Sequence, residues 1–306
     1  MNSWMRRRVD ERGSVLVVTA LAAVAMMGFA ALGVDAGRVY SARHRLVDVC
    51  DAAAFAAAQN LPEDPATAED AAWDCLRRNG VDPVTAEVII SQANTKVTVT
   101  AGRTVAMSFA RVIGLDEAEA RAVSSAVVTP AGGFRGAQPF GIESGPFEYG
   151  VPYTLKLGSK EPPRPQQGNF HALALGGSGA SWYRENIRNG YDGILRVGQL
   201  IFTEPGNMTG PTREGLRDRF HRDPYATFET VKSDSPRILL VPLVSTFDVC
   251  GRTQIEILGF GAFFLEDQSF TGNIRGRFMR LVRETDIAGD WSADYGVRIV
   301  RLVEGR

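Results

Sequence analysis

The sequence predicts an α+β fold: a long N-terminal transmembrane helix, a small α-β-β-α-β unit, and a mainly β C-terminal domain. Three observations predict it. Residues 14–34 are apolar and free of charge and proline. Residues 35–60 continue in helical register with an amphipathic, alanine-rich pattern. Beyond residue 130 the chain fills with glycine, proline and aromatics, and short apolar runs replace the helical period. The expected parts are a cytoplasmic basic tail (1–13), a transmembrane helix (14–34), its extension outside the membrane (35–61), the small α/β unit (62–129) and a β-rich extracytoplasmic domain (130–306).

The apolar run, SVLVVTALAAVAMMGFAALGV, carries only Ser14 and Thr19 as polar side chains. At the helical rise it is ~31 Å long, the thickness of a bilayer's hydrocarbon core. A soluble core helix does not need an apolar surface on every face over that length, so the run reads as a membrane span. A cleaved secretory signal calls for a shorter apolar core and a small-x-small exit. Here the chain leaves through Val34-Asp35-Ala36-Gly37-Arg38 and stays helical, which predicts an uncleaved anchor. Arg6, Arg7, Arg8 and Arg12 precede the span, against Arg38, Arg43 and Arg45 just after it. That bias points to a single-pass protein of the cytoplasmic membrane, N-terminus inside and body extracytoplasmic, at the cell surface or in the periplasm.

Beyond the span, Val39, Ala42, Leu46, Cys50, Ala53 and Ala57 recur every three or four residues and trace one apolar stripe. Arg38, Ser41, Arg45 and Asp48 fall on the opposite side. Pro62 stops the pattern, so the helix is expected over residues 14–59, ~69 Å in all. Gly33 and Gly37 form a G-x-x-x-G at the membrane exit, a spacing that lets helices approach closely.

Residues 66–78 read as a helix stopped by Asn79-Gly80, and 87–91 and 96–100 as a hairpin turning at 92–95. A short helix over 105–113 ends at Gly114, and a strand covers 120–129. Pro130-Ala131-Gly132-Gly133 marks the next boundary. The clearest later strands are 237–246 and 253–265, with shorter ones at 153–157, 169–175, 277–282 and 297–303. The first is nearly all apolar and is expected to be central, with Pro242 forcing a bulge or an edge position. Residues 161–165, Glu-Pro-Pro-Arg-Pro, read as an exposed loop.

No catalytic, cofactor-binding or metal-ligating set is expected. Gly176-Gly177-Ser178-Gly179-Ala180 approximates a nucleophile elbow, but its last position is alanine and His221 lies in a polar stretch; a glycine-rich loop is the plainer reading. His44, His171 and His221 form no metal pair, and Asp286, Asp290 and Asp294 repeat every four residues rather than at the alternate positions of a calcium loop. Arg275, Arg277, Arg280 and Arg283 read as a solvated basic face, with an acidic cell-surface polymer or lipid headgroup as the alternative. The balance of 34 Lys+Arg against 35 Asp+Glu excludes a global nucleic-acid footprint. The bilayer and other proteins are therefore the expected partners, with no nucleic acid and no evident small-molecule substrate. Cys50, Cys75 and Cys250 fit no metal spacing. Cys50 and Cys75 fall on helices able to pack together, leaving open both a disulfide and two small buried thiols.

Gly33-Val34-Asp35-Ala36-Gly37-Arg38-Val39-Tyr40, then Arg45-Leu46 and Asp51-Ala52-Ala53-Ala54-Phe55-Ala56-Ala57-Ala58, resemble the TadE/TadG-like proteins of Flp (tight-adherence) pilus assembly. Their pattern is Arg-Gly before the span, matched by Arg12-Gly13, then D-x-G-x-x-Y, an arginine, and an L-Q-x-A-A-D-A-A-A-L-A-x-A helix. Val47, Cys50 and Phe55 depart from it. The resemblance covers about residues 12–60 and continues loosely through 109–114; Gly168-Asn169-Phe170, 203–212 and 236–242 resemble a subgroup. It implies that Gly33, Asp35, Gly37, Tyr40, Leu46, Asp51 and Ala54 carry helix packing and assembly. It also implies a bitopic, non-enzymatic accessory protein of pilus assembly, adhesion or secretion whose partners are other pilus-assembly or pilin subunits. The D-x-S-x-S metal run of relatives with a von Willebrand A-type domain is missing. A minor pilin cleaved after Gly13 is the alternative, but the fifth residue beyond it is Val18 where type IV-like pilins place glutamate. A signal-anchored enzyme of the cell wall is a further one.

Overall fold

The computed structural model describes residues 11–156, 171–266, 274–283, 287–288 and 294–304. The chain forms two compact units, one ending at Ala126 and taking in the stretch from Leu302, the other running from Val127 to Arg301.

The first unit is built on α1 (Glu11–Ala58), 48 residues without a break, ~72 Å long at the standard rise. Its first half stands exposed among the described residues: Val15 is 62%, Phe29 77% and Val34 52% exposed. Its second half packs through the expected stripe, with Leu46, Cys50, Ala53 and Ala57 buried and Arg38, Ser41, Arg45 and Asp48 outside. The partners are α2 (Pro65–Arg78) and the sheet of β1 (Ala86–Ser91), β2 (Lys96–Ala106) and the first part of β3 (Glu117–Ala137). Alanines make the contact: Ala53, Ala54, Ala57 and Ala58 on α1 and Ala68 and Ala72 on α2 are fully buried, and small side chains let the axes come close. Asp64 caps α2, its carboxylate accepting the Thr67 N–H at 3.0 Å, with Pro65 in the first turn where its missing N–H costs nothing. The hairpin turns at 92–95, where Gln92, Ala93 and Asn94 all take positive φ.

One local reading changes here. The helix expected over 105–113 is absent: Thr104 and Val105 extend β2 to Ala106, and only a 3-10 turn, Ala110–Ile113, follows before Gly114 (φ 84°) reverses the chain. Pro130-Ala131-Gly132-Gly133 lies inside β3, four residues beyond the point in the same strand where the two units divide.

The second unit contains β4 (Ile142–Glu143), β5 (Pro152–Lys156), β6 (Leu173–Ala174), α3 (Ala180–Asn189), β7 (Tyr191–Arg196), β8 (Leu200–Thr203), α4 (Thr209–Arg222), β9 (Ile238–Val244), β10 (Gln254–Leu265), β11 (Ile274–Met279), β12 (Leu281–Arg283), β13 (Ile287–Ala288) and β14 (Val297–Glu304), which ends beyond its boundary. Its main sheet has the order β4-β9-β10-β11-β5, with β8 pairing β10 and β6. All seven residues of β9 are buried, and alternation explains why they are all apolar. Ile238, Leu240 and Val244 enter one core with Phe134, Phe260 and Ile299; Leu239 and Val241 enter another with Phe263, Phe278 and Ile187. Pro242 sits inside this strand opposite Phe260, and the register shift falls on β10 between Ile257 and Gly259.

Helices α3 and α4 were not expected in a region read as β. Tyr183 and Ile187, and Leu216 and Phe220, are the four-apart apolar pairs that would have signalled them. They pack closely because Gly215 lies where a side chain would meet Ile187. The buried Arg219 ties them together by donating to the Ile187 and Pro236 carbonyls, and burial pulls it down to about 10.

Candidate functional site

The segment that resembles a known family is α1, and the structure sorts its seven singled-out residues by exposure. Asp35, Leu46 and Ala54 are buried. Asp51 is half-buried, whereas Gly33, Gly37 and Tyr40 face outward; Tyr40 is 70% exposed, with the His44 ring set edge-to-face at 6.2 Å. Among the described residues no atom beyond the helix's own adjoining backbone lies within 4 Å of a Cβ added at Gly33 or Gly37, so this face of the helix is open.

Asp35 is the polar centre of the site. It stands one residue beyond the apolar run, and its carboxylate accepts backbone N–H groups from Ser108 (2.9 Å), Phe109 (2.8 Å) and Ala110 (2.7 Å). These are the donors left free at the start of the 3-10 turn, so a side chain from one element caps another far along the chain. Arg38, one turn further on, donates to the Ser108 hydroxyl and lies 4.0 Å from Asp35. The Ala110 N–H does most to hold the Asp35 carboxyl below its ordinary value; burial opposes it, and the Ser108 and Phe109 N–H groups and Arg38 assist.

Above Asp35 a cleft of about 580 Å³ opens between α1 and the end of β2, lined among others by Val34, Arg38, Arg45 and Arg103 and by no acid. A second cleft of about 460 Å³ adjoins it at Arg45 and Arg103, and there Asp48 and Asp82 share the wall.

The Cys50–Cys75 disulfide, open on the sequence, is not formed. The Cys50 thiol is buried against the Ala122 carbonyl on β3, 3.8 Å away, while the Cys75 sulfur sits beside the Asn79 amide. Burial, with Asp51 adding to it, pushes the Cys50 thiol up to about 11. Ser178 and His221 are both exposed, and no hydrogen bond joins them among the described residues. The glycine run does sit between β6 and α3, but as a turn: Gly179 (φ 96°) precedes the helix and its N–H is taken by Glu204 at 3.1 Å. Among the described residues no group of three or more His, Cys, Asp or Glu side chains is placed to hold a metal. Asp294 instead binds Arg298 at 2.8 Å, while Asp286 and Asp290 lie outside the described residues, as do 161–165 and 168–170. The basic quartet disperses: Arg277 pairs with Glu266 at 3.0 Å and Arg280 lies over the Tyr149 ring.

Fold and helix together define a class of protein, an α+β body grown on one long helix whose exposed apolar half suggests a membrane anchor. Residues 13–60 match the Tad family model, TadE/G-like Flp pilus assembly. That stretch covers α1 nearly end to end. No curated protein and no solved structure matches the chain.

Proposed function

We propose that the chain is a single-pass, membrane-anchored accessory protein of Flp pilus assembly or the associated secretion, acting by tethering and protein–protein contact rather than by catalysis. One observation carries the reading: α1 passes without a break from an exposed apolar half to a half packed into its own unit, and the family match covers that same helix. In this reading residues 14–34 lie in the bilayer, the basic tail is cytoplasmic, and both folded units are outside the cytoplasmic membrane. The open face of Gly33, Gly37 and Tyr40 is offered to another pilus-assembly or pilin subunit, since small residues at the membrane exit permit close helix approach.

The test is the intact mass of the protein purified from native membranes, with sheared filaments assayed in parallel. A full-length mass confined to the membrane fraction is expected. A mass beginning at Ser14, with protein in the sheared filaments, would instead make the chain a minor pilin with α1 as its filament-packing helix.

A further inference from the structure

The course of β2 and β3 beside α1 can be read as heights along the helix. Gly102 and Arg103 line a cleft with Leu46 and Val49, high on the extracytoplasmic half. Six residues later the chain meets Asp35 through Ser108, Phe109 and Ala110. It has then reversed by the time Ala122 of β3 meets Cys50, 15 residues up the helix from Asp35, or ~22 Å at the standard rise. The Met107 N–H donates to the Asp116 carbonyl at 2.9 Å and closes the loop between the two strands. Residues 109–115 are therefore a tip pointing back toward the apolar run, held one residue above its end.

That tip is apolar where a water-facing turn would be polar. Phe109 is 48%, Val112 89%, Ile113 66% and Leu115 56% exposed. Arg111 and Asp116 pair at its rim at 3.2 Å. Beside the tip lies the acid-free cleft, which starts at Val34 and holds Arg38, Arg45 and Arg103. Side chains on a helix lean toward its N-terminus, so Arg38 and Arg45 lean toward the membrane end of α1.

We infer that the 109–115 tip is a second membrane contact, with Phe109, Val112, Ile113 and Leu115 seated in the boundary between headgroups and acyl chains and the arginines of the adjoining cleft on the phosphates of anionic phospholipid. The occupant follows from continuity: the tip extends the exposed apolar surface of α1 at the level where that surface meets the headgroups. Apolar side chains in the interface with cations beside them are the usual chemistry of peripheral membrane contact. The proposal rests on α1 being a membrane anchor, and the test separates the two.

The experiment places a nitroxide at Val24→Cys, Val84→Cys or Val112→Cys, one at a time, in the full-length protein with Cys75→Ser and Cys250→Ser. The buried Cys50 is left in place, and Val112 is exposed enough to take the label without repacking. Each protein is reconstituted in phosphatidylcholine nanodiscs with and without phosphatidylglycerol, and collision rates with oxygen and with a water-soluble nickel chelate give depth. Position 24 is expected in the acyl region, position 112 at the interface, and position 84 in water. Phosphatidylglycerol is expected to move position 112 deeper, a gain lost on combining Arg38→Gln with Arg103→Gln. A label at 112 as aqueous as that at 84, with 24 in lipid, overturns the tip contact and leaves the anchor standing. A label at 24 in water overturns both. Depth at 112 unchanged by phosphatidylglycerol overturns the arginine–phosphate part.

Discussion

The Asp35 carboxylate and the Ala110 backbone N–H meet at 2.7 Å across 75 residues of sequence. With the Ser108 and Phe109 N–H groups on the same carboxylate, this contact pins the tip between β2 and β3 to the helix at its apolar end. Asp35→Ala is expected to lower the melting temperature of the first unit by several degrees, because it strips the acceptor from three donors at once. Asp35→Asn keeps one acceptor and should fall between. Calorimetry of the detergent-solubilised protein checks this, and a first-unit transition unmoved by Asp35→Ala would remove Asp35 from the stability of the fold.

The same contact fixes a pH dependence. The Asp35 carboxyl is held below its ordinary 3.8, chiefly by the Ala110 N–H, and Asp64 is held below 3.8 chiefly by the Thr67 hydroxyl. A depressed carboxyl binds fewer protons folded than unfolded, so its stabilisation is complete above about pH 5 and is lost as pH falls through 3.8 and below. Acid titration of the first unit should show this loss, and Asp35→Asn should flatten it.

The three thiols are expected to alkylate in order of access. Cys250 is exposed and reacts first, Cys75 is half-buried and follows, and Cys50 is buried with its thiol pushed up to about 11, which starves it of thiolate. Peptide-resolved labelling with iodoacetamide at pH 8 gives the order. Equal rates at Cys50 and Cys250 would contradict the packing of α1 on β3.

In the second unit, Phe263 is fully buried and meets the Phe278 ring edge-on at 5.2 Å. Phe263→Ala should destabilise that unit by about 3–5 kcal/mol, the usual cost of emptying an aromatic core site. Denaturant unfolding measures it, with Tyr225→Ala as a control, since Tyr225 is 91% exposed.

Gly33 is the position expected to separate assembly from folding. Among the described residues nothing beyond the helix's own adjoining backbone lies within 4 Å of an added Cβ there, so Gly33→Leu should leave the melting of both units unchanged. If this face seats a partner helix, in-membrane cross-linking from Tyr40→Cys will lose its partner band in the Gly33→Leu background.

Much of this architecture is legible in the residues because burial and periodicity carry it. The stripe from Val39 to Ala57 foretells which side of α1 is packed, and the unbroken apolar run of β9 foretells a strand covered on both faces. The errors lie where local pattern is weak. At residues 105–113, apolar spacing that suits a helix is overridden by the strand pairing of β2 and by a carboxylate waiting at residue 35. Helix α4 is polar over most of its surface and begins after a left-handed Met208, so little but Leu216 and Phe220 announces it. The role of Asp35 was visible as a motif but not as a contact, because nothing in the sequence links it to backbone groups 73 to 75 residues away.

The unbroken α1 also sets a rotational phase. One residue turns a helix by ~100°, and no proline or hinge between residues 14 and 58 lets the two halves slip. The azimuth at which Gly33 looks outward is therefore geared to the azimuth at which Asp35 receives the tip. A single alanine inserted between Val34 and Asp35 would lengthen the apolar run by one residue and leave the packing stripe intact, yet swing the exposed apolar side by about a quarter-turn against the half of α1 packed into the first unit. The helix thus acts as a key cut to one orientation, and whatever seats on its apolar half meets the first unit at a bearing decided inside a single turn of backbone.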